Sequence, residues 1–100
     1  MERAKIQEVS GKRFLLIDYA EASWALRELI EAVLGNAQRE TGGCVGVGQT
    51  FESYTSEAGC VELSFDDGFG YEFWANSPAL HEKLVSAISA SPIFILERRT

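Results

Sequence analysis

Between residues 44 and 75 apolar and polar side chains alternate at a period of two, and no other stretch of the chain constrains the fold as much. The alternation runs through 44–54, 60–65 and 69–75, and turn-forming residues separate the three runs at 55–59 and at Asp66-Asp67-Gly68. A period of two sends successive side chains to opposite faces of a strand. The spacing therefore predicts three consecutive antiparallel strands, the second connection being a three-residue loop with Gly68 in the left-handed position. One face of such a meander, built from Phe51, Val61, Leu63, Phe65, Phe69, Tyr71 and Phe73, is apolar and has to be covered.

The flanking segments supply the cover. Ala22, Leu26, Leu29, Ile30, Val33 and Ala37 recur at helical spacing, with Arg27, Glu28, Glu31 and Gln38 on the other side. The pattern predicts a helix opened by a capping box from Asp18 to Glu21, or by Ser23, and ended by Thr41-Gly42-Gly43. Asn76-Ser77-Pro78 opens a second helix, with a side-chain acceptor followed by proline at the first helical position. Leu80, Leu84, Ala87 and Ile88 form its apolar stripe, and Ser91-Pro92 ends it.

Two strands at 5–9 and 13–18, joined at Ser10-Gly11-Lys12, precede the first helix, and a last strand at 93–98 follows the second. The continuous apolar run Phe14-Leu15-Leu16-Ile17 suits a central strand. The predicted order is ββαβββαβ. The fold class is α+β: a two-layer sandwich of a mainly antiparallel sheet with two helices on one face. One hundred residues make a single domain, 1–100, of a length that buries about 60–70% of its extended surface.

Charge is distributed unevenly. The formal net charge is −6, yet from Glu40 to Glu82 there are eight acids and no Lys or Arg, while the rest of the chain holds seven acids and nine bases. Such a balance argues against direct nucleic-acid binding and against anionic membranes, both of which recruit Lys and Arg. No apolar run approaches the roughly 20 residues of a membrane span, and the first residues lack the apolar segment of a secretory signal. Two cysteines, Cys44 and Cys60, do not make a disulfide framework, which points to the cytoplasm.

The two expected turns set a register. With 66–68 as a loop, Glu62 faces Glu72 and Cys60 faces Trp74; with 55–59 as a loop, Glu52 faces Glu62 and Tyr54 faces Cys60. Glu52, Glu62 and Glu72 then form a row across three strands, beside a row of Tyr54, Cys60 and Trp74, all pointing away from the helices. Directly opposed like charges cost a few tenths to about 1 kcal/mol per pair, so the row does nothing for the isolated fold. Aromatic anchors ringed by carboxylates suit a cationic partner. The expected partner-binding residues are Glu52, Tyr54, Glu62, Asp66, Asp67, Glu72 and Trp74.

Signals for chemistry are weak by comparison. His81 is the single histidine, at the fourth position of the second helix, where a surface or boundary setting is expected. A nucleophile pair of Cys60 with His81 lacks an orienting third residue. Residues 42–48 are glycine-rich but lack the Gly-Lys-Ser/Thr ending of a phosphate loop and open a strand instead of a helix. The ligand density of a zinc or EF-hand site is missing. The expectation is a non-catalytic module without cofactor or metal that neutralises a basic, toxin- or nuclease-like protein, as immunity proteins and antitoxins do. A nucleic-acid mimic that inhibits a DNA- or RNA-binding enzyme is the first alternative. A homodimer or larger self-assembly through an edge strand or the aromatic row is the second.

Overall fold

The computed structural model describes residues 3–16, 22–44, 49–66 and 70–98, with only the backbone at 43 and 44. Seven strands and two helices follow in the order β1 (Ala4–Val9), β2 (Arg13–Leu16), α1 (Ser23–Leu34), β3 (Gln38–Cys44), β4 (Gln49–Ser56), β5 (Gly59–Asp66), β6 (Gly70–Ala75), α2 (Pro78–Ala90) and β7 (Phe94–Arg98). All seven strands join one sheet in the order β3-β4-β5-β6-β2-β1-β7. Each neighbouring pair is antiparallel except β1 with β7, which run parallel. Both helices lie on one face, α1 over β4 and β5 and α2 over β6 and β7, and they touch each other. The α+β two-layer class is thus as the sequence predicts, and Phe14 and Leu16 sit fully buried on an interior strand.

The element order differs at one place. Residues 38–44 form strand β3, not the end of a helix, so four strands separate the helices where three are expected. Helix α1 stops at Leu34 because Gly35 (φ 67) and Asn36 (φ 48) take left-handed conformations, with Gly35 N–H donating to Glu31 O at 2.8 Å. At its other end Ala22 occupies the cap position with no side-chain hydrogen bond. The helix therefore begins after the expected capping box, whose residues 18–21 lie outside the described ones. Helix α2 opens as predicted: Ser77 Oγ accepts from Leu80 N–H at 3.2 Å, and Pro78 follows it.

The core lies between the layers. Ile6, Phe14, Leu16, Tyr54, Val61, Leu63, Phe73 and Phe94 come from the sheet; Leu26, Ile30, Leu80, Leu84 and Ile88 come from the helices. Burying each such aliphatic or aromatic side chain is worth about 1.5–3 kcal/mol.

Turn geometry decides which side chains reach this core. Val9 O accepts from Lys12 N–H at 3.1 Å across Ser10 and Gly11, both at positive φ, so the β1–β2 turn falls where the sequence places it. The β4–β5 connection is shorter than expected: Ser56 pairs with Gly59, leaving a two-residue turn in place of a five-residue loop. Neither turn residue has positive φ; Gly59 takes it, at +136. A Cβ on Gly59 would stand 2.9 Å from Asn76 Oδ1, the atom that accepts the Cys60 N–H, and 3.0 Å from Leu80 Cδ2. Gly59→Ala is expected to cost about 1–3 kcal/mol in urea-unfolding free energy, through backbone strain and loss of that hydrogen bond.

Candidate functional site

The short β4–β5 turn slips that pairing by one residue from the expected register. Glu52 faces Leu63, Tyr54 faces Val61, and Phe51 faces Ser64. A slip of one exchanges the faces of a strand. Glu52 and Tyr54 therefore point toward the helices, and Phe51, expected in the core, is 43% exposed on the opposite face. The β5–β6 pairing slips by two, which preserves faces: Glu62 sits opposite Trp74 and Ser64 opposite Glu72. The row of three glutamates does not exist, and Tyr54 cannot be a surface anchor because it is fully buried.

Glu52 and Tyr54 build a polar cluster beneath α1. Arg27 grips the Glu52 carboxylate in bidentate fashion, Nε to Oε1 at 2.8 Å and Nη2 to Oε2 at 2.9 Å, and Tyr54 Oη donates to Oε1 at 2.5 Å. The Arg27 guanidinium also lies 5.4 Å from the Tyr71 ring centre. Burial pushes the Glu52 carboxyl up, but its bonds from Arg27 and Tyr54 outweigh that and hold it below the usual carboxylate range. Burial and the neighbouring Glu52 push the Tyr54 hydroxyl up to about 12. The cluster ties α1 to β4, with Arg39 on β3 beside it.

A second buried polar cluster sits under α2. Glu8, 2% exposed, and His81, 5% exposed, meet through His81 Nε2 and Glu8 Oε2 at 2.5 Å. The Arg98 guanidinium bonded to Glu8 holds its carboxyl below the ordinary range, against burial, with further help from His81. An ionised carboxylate only accepts, which places a proton on Nε2. His81 Nδ1 has no hydrogen-bond partner among the described residues, and the ring stacks on Phe14 with centroids 4.5 Å apart. The sequence reading expects a surface or boundary histidine; a carboxylate 73 residues away makes burial tolerable.

Acidic oxygens of Glu8 and Glu82 and a ring nitrogen of His81 lie within 4.8 Å of one another, the spacing of a metal-ligand group. Arg98 already supplies the positive charge there, with Nε 2.8 Å from Glu8 Oε1 and Nη2 3.3 Å from Glu82 Oε1. His81 lies on the helix side of the sheet and Cys60 on the other, so the two do not form a nucleophile pair. Cys60 Sγ instead contacts Ser53 Oγ at 3.5 Å and Glu62 Oε1 at 3.7 Å.

The sheet face away from the helices is where the remaining expected residues gather. Across β3 to β6 it carries Glu40, Phe51, Ser53, Cys60, Glu62, Ser64, Asp66, Glu72 and Trp74, with Glu40 opposite Ser53 and Gly42 opposite Phe51. Ser53 Oγ donates to Glu62 Oε1 at 3.1 Å, and Gln49 Nε2 donates to Asp66 Oδ2 at 2.9 Å. Arg13, on β2, reaches Glu72 Oε1 with Nη1 at 3.2 Å. Asp67 lies outside the described residues. Glu62, Glu72 and Trp74 thus share this face, though Glu62 pairs with Trp74 and not with Glu72; Asp66, expected in the loop, ends β5 here, and Phe51 and Glu40 are additions that the sequence reading missed. Alternation through Gln49, Phe51 and Ser53 was legible, but its face depended on the turn.

The glycine-rich stretch enters β3 at Gly42 and Gly43 as an edge strand, and residues 45–48 lie outside the described ones. No described helix is long and apolar enough to cross a membrane. Fold and site together define a two-layer α+β sandwich with both described helices on one sheet face. No protein-family model matches the chain, and neither does any curated protein or solved structure.

Proposed function

We propose that the protein is a non-catalytic, acidic binding module that docks and neutralises a basic protein, in the manner of an immunity protein or antitoxin, on the outer face of strands β3 to β6. One observation carries the reading. That half of the outer face presents Glu40, Glu62, Asp66 and Glu72 around Phe51 and Trp74, with no Lys or Arg of its own among the described residues.

Aromatic anchors amid charge of one sign are the composition of a docking surface for opposite charge. Such a surface steers encounter as well as holding the partner. Glu62 sits opposite Trp74 and Glu72 two residues along the same strand, so an aromatic anchor and two carboxylates adjoin, with Asp66 and Glu40 farther out on the same face. The thiol of Cys60 is free, in keeping with a cytoplasmic site of action.

The test is affinity capture from the native host's lysate, with elution by salt and identification by mass spectrometry. The expected result is one basic protein, whose affinity falls at least about a hundredfold with Glu62→Lys/Glu72→Lys. Glu28→Lys/Glu31→Lys makes the same charge change on exposed positions of α1 and should leave affinity within about threefold. Equal losses in both variants would mean that overall charge, not this face, governs binding.

A further inference from the structure

Resting on that docking reading, we infer that the outer face contains a groove that receives one arginine side chain of the basic partner. The groove has a volume of about 270 Å³ and is lined by Leu15, Phe51, Ser64, Asp66, Gly70 and Glu72, among others. Its origin lies in side-chain size. Phe51 on β4 and Leu15 on β2 flank β5 and β6, whose outward residues between them are Ser64, Glu72 and Gly70. Strands are spaced about 4.8 Å apart, so the two walls stand three strand intervals apart; Ser64 and Gly70 are the low floor, and Glu72 rises beside Leu15.

The volume falls below the range of about 300–1,000 Å³ typical of small-molecule sites, and its lining residues run from β2 to β4, which suits a single long side chain. The walls are apolar and the rim is acidic, through Asp66 and Glu72. Arginine matches both parts: its methylene stem packs on Leu15, and its planar guanidinium stacks on the exposed Phe51 ring while donating to a carboxylate. Lysine presents a compact, strongly hydrated charge that matches the rim but not the ring. The chain itself already sets one guanidinium on this rim, since Arg13 Nη1 donates to Glu72 Oε1 at 3.2 Å. An incoming arginine competes with that pair, which is exposed and therefore weak.

The probes are three acetylated, amidated tripeptides, Gly-Arg-Gly, Gly-Lys-Gly and Gly-citrulline-Gly, titrated into the isotope-labelled protein by NMR. The arginine peptide is expected to saturate in the millimolar range, moving the amides of Phe51, Ser64, Gly70 and Glu72. It should bind about threefold or more tighter than the lysine peptide, with no saturable response to the uncharged citrulline isostere. Ser64→Phe fills the floor and should remove binding. Phe51→Ala, which truncates an exposed side chain, should weaken it about threefold if Ser64→Phe fails to fold. Arg13→Gln should tighten it about two- to fivefold, whereas Lys83→Gln on the other side of the sheet should not.

Equal responses to arginine and citrulline, shifts centred on Glu57 or Glu82, or indifference to both groove variants would overturn the inference. So would a peptide-independent shift of the same amides with protein concentration, which would put a second copy on this face. A captured basic protein that ignores Ser64→Phe removes the groove and leaves the docking face standing. Seating of the arginine peptide without any captured basic protein supports the groove and removes the docking function.

Discussion

Glu8→Ala is expected to lower the unfolding free energy by about 2–4 kcal/mol, measured by urea denaturation at pH 7. The carboxylate is almost wholly buried, and its loss strands His81 Nε2 in a site where Nδ1 already has no partner among the described residues. The cost falls short of the full price of an uncompensated buried charge, because the Arg98 side chain is 48% exposed and returns to water. Removing both polar groups with Glu8→Leu/His81→Phe should recover most of the loss, since apolar replacement of a whole buried pair is often close to neutral.

The two buried polar clusters together set an acid response. The Glu8 and Glu52 carboxyls are both held below the ordinary carboxylate pKa in the folded chain, so protonation favours unfolding. Their contribution is complete above the unfolded value of about 4.3 and is lost as pH falls through the depressed folded values. The urea midpoint should therefore hold steady from these groups between pH 6 and 7, in round figures, and drop toward about pH 3. Glu8→Gln should flatten part of that drop. An acid profile identical to that of the unmodified chain would mean that Glu8 titrates normally.

Tyr54→Ala is expected to cost about 3–5 kcal/mol, and Phe51→Ala under about 1 kcal/mol, in the same measurement. Tyr54 is fully buried between β4 and α1, and its hydroxyl holds Glu52, so truncation leaves both a cavity and a carboxylate short of a donor. Phe51 is 43% exposed on the outer face and loses only cross-strand packing. The register expected from a five-residue loop at 55–59 demands the reverse ranking, with Phe51 in the core and Tyr54 in solvent. The two substitutions, three positions apart, thus decide which face of β4 meets the helices.

The parts of the fold that were legible share one property: their signals are local. Ser77 and Pro78 announce α2, Ser10-Gly11 announces the first hairpin, and the stripe from Leu26 to Val33 announces α1. Strand β3 was illegible because Gln-Arg-Glu-Thr-Gly-Gly has no apolar alternation; it lies at the sheet edge and is held by backbone pairing to β4. The helical spacing of apolar residues continues through Ala37 and conceals it, although Gly35-Asn36 is a recognisable helix stop.

By itself the sequence determined the layers: amphipathic helices and alternating strands each have one apolar side, and burying them together leaves few arrangements. It also determined the excess of acid in the middle of the chain. Only the tertiary structure decided which acids share a surface, because strand faces hang on a single residue in a turn. That residue sends Glu52 inward to Arg27 and turns Phe51 outward beside Glu62 and Glu72. Only the tertiary structure, too, joined Glu8 to His81 and Arg98 across the chain. Such pairs leave no periodic trace, since their energy comes from burial and hydrogen bonds that exist only once the layers have met.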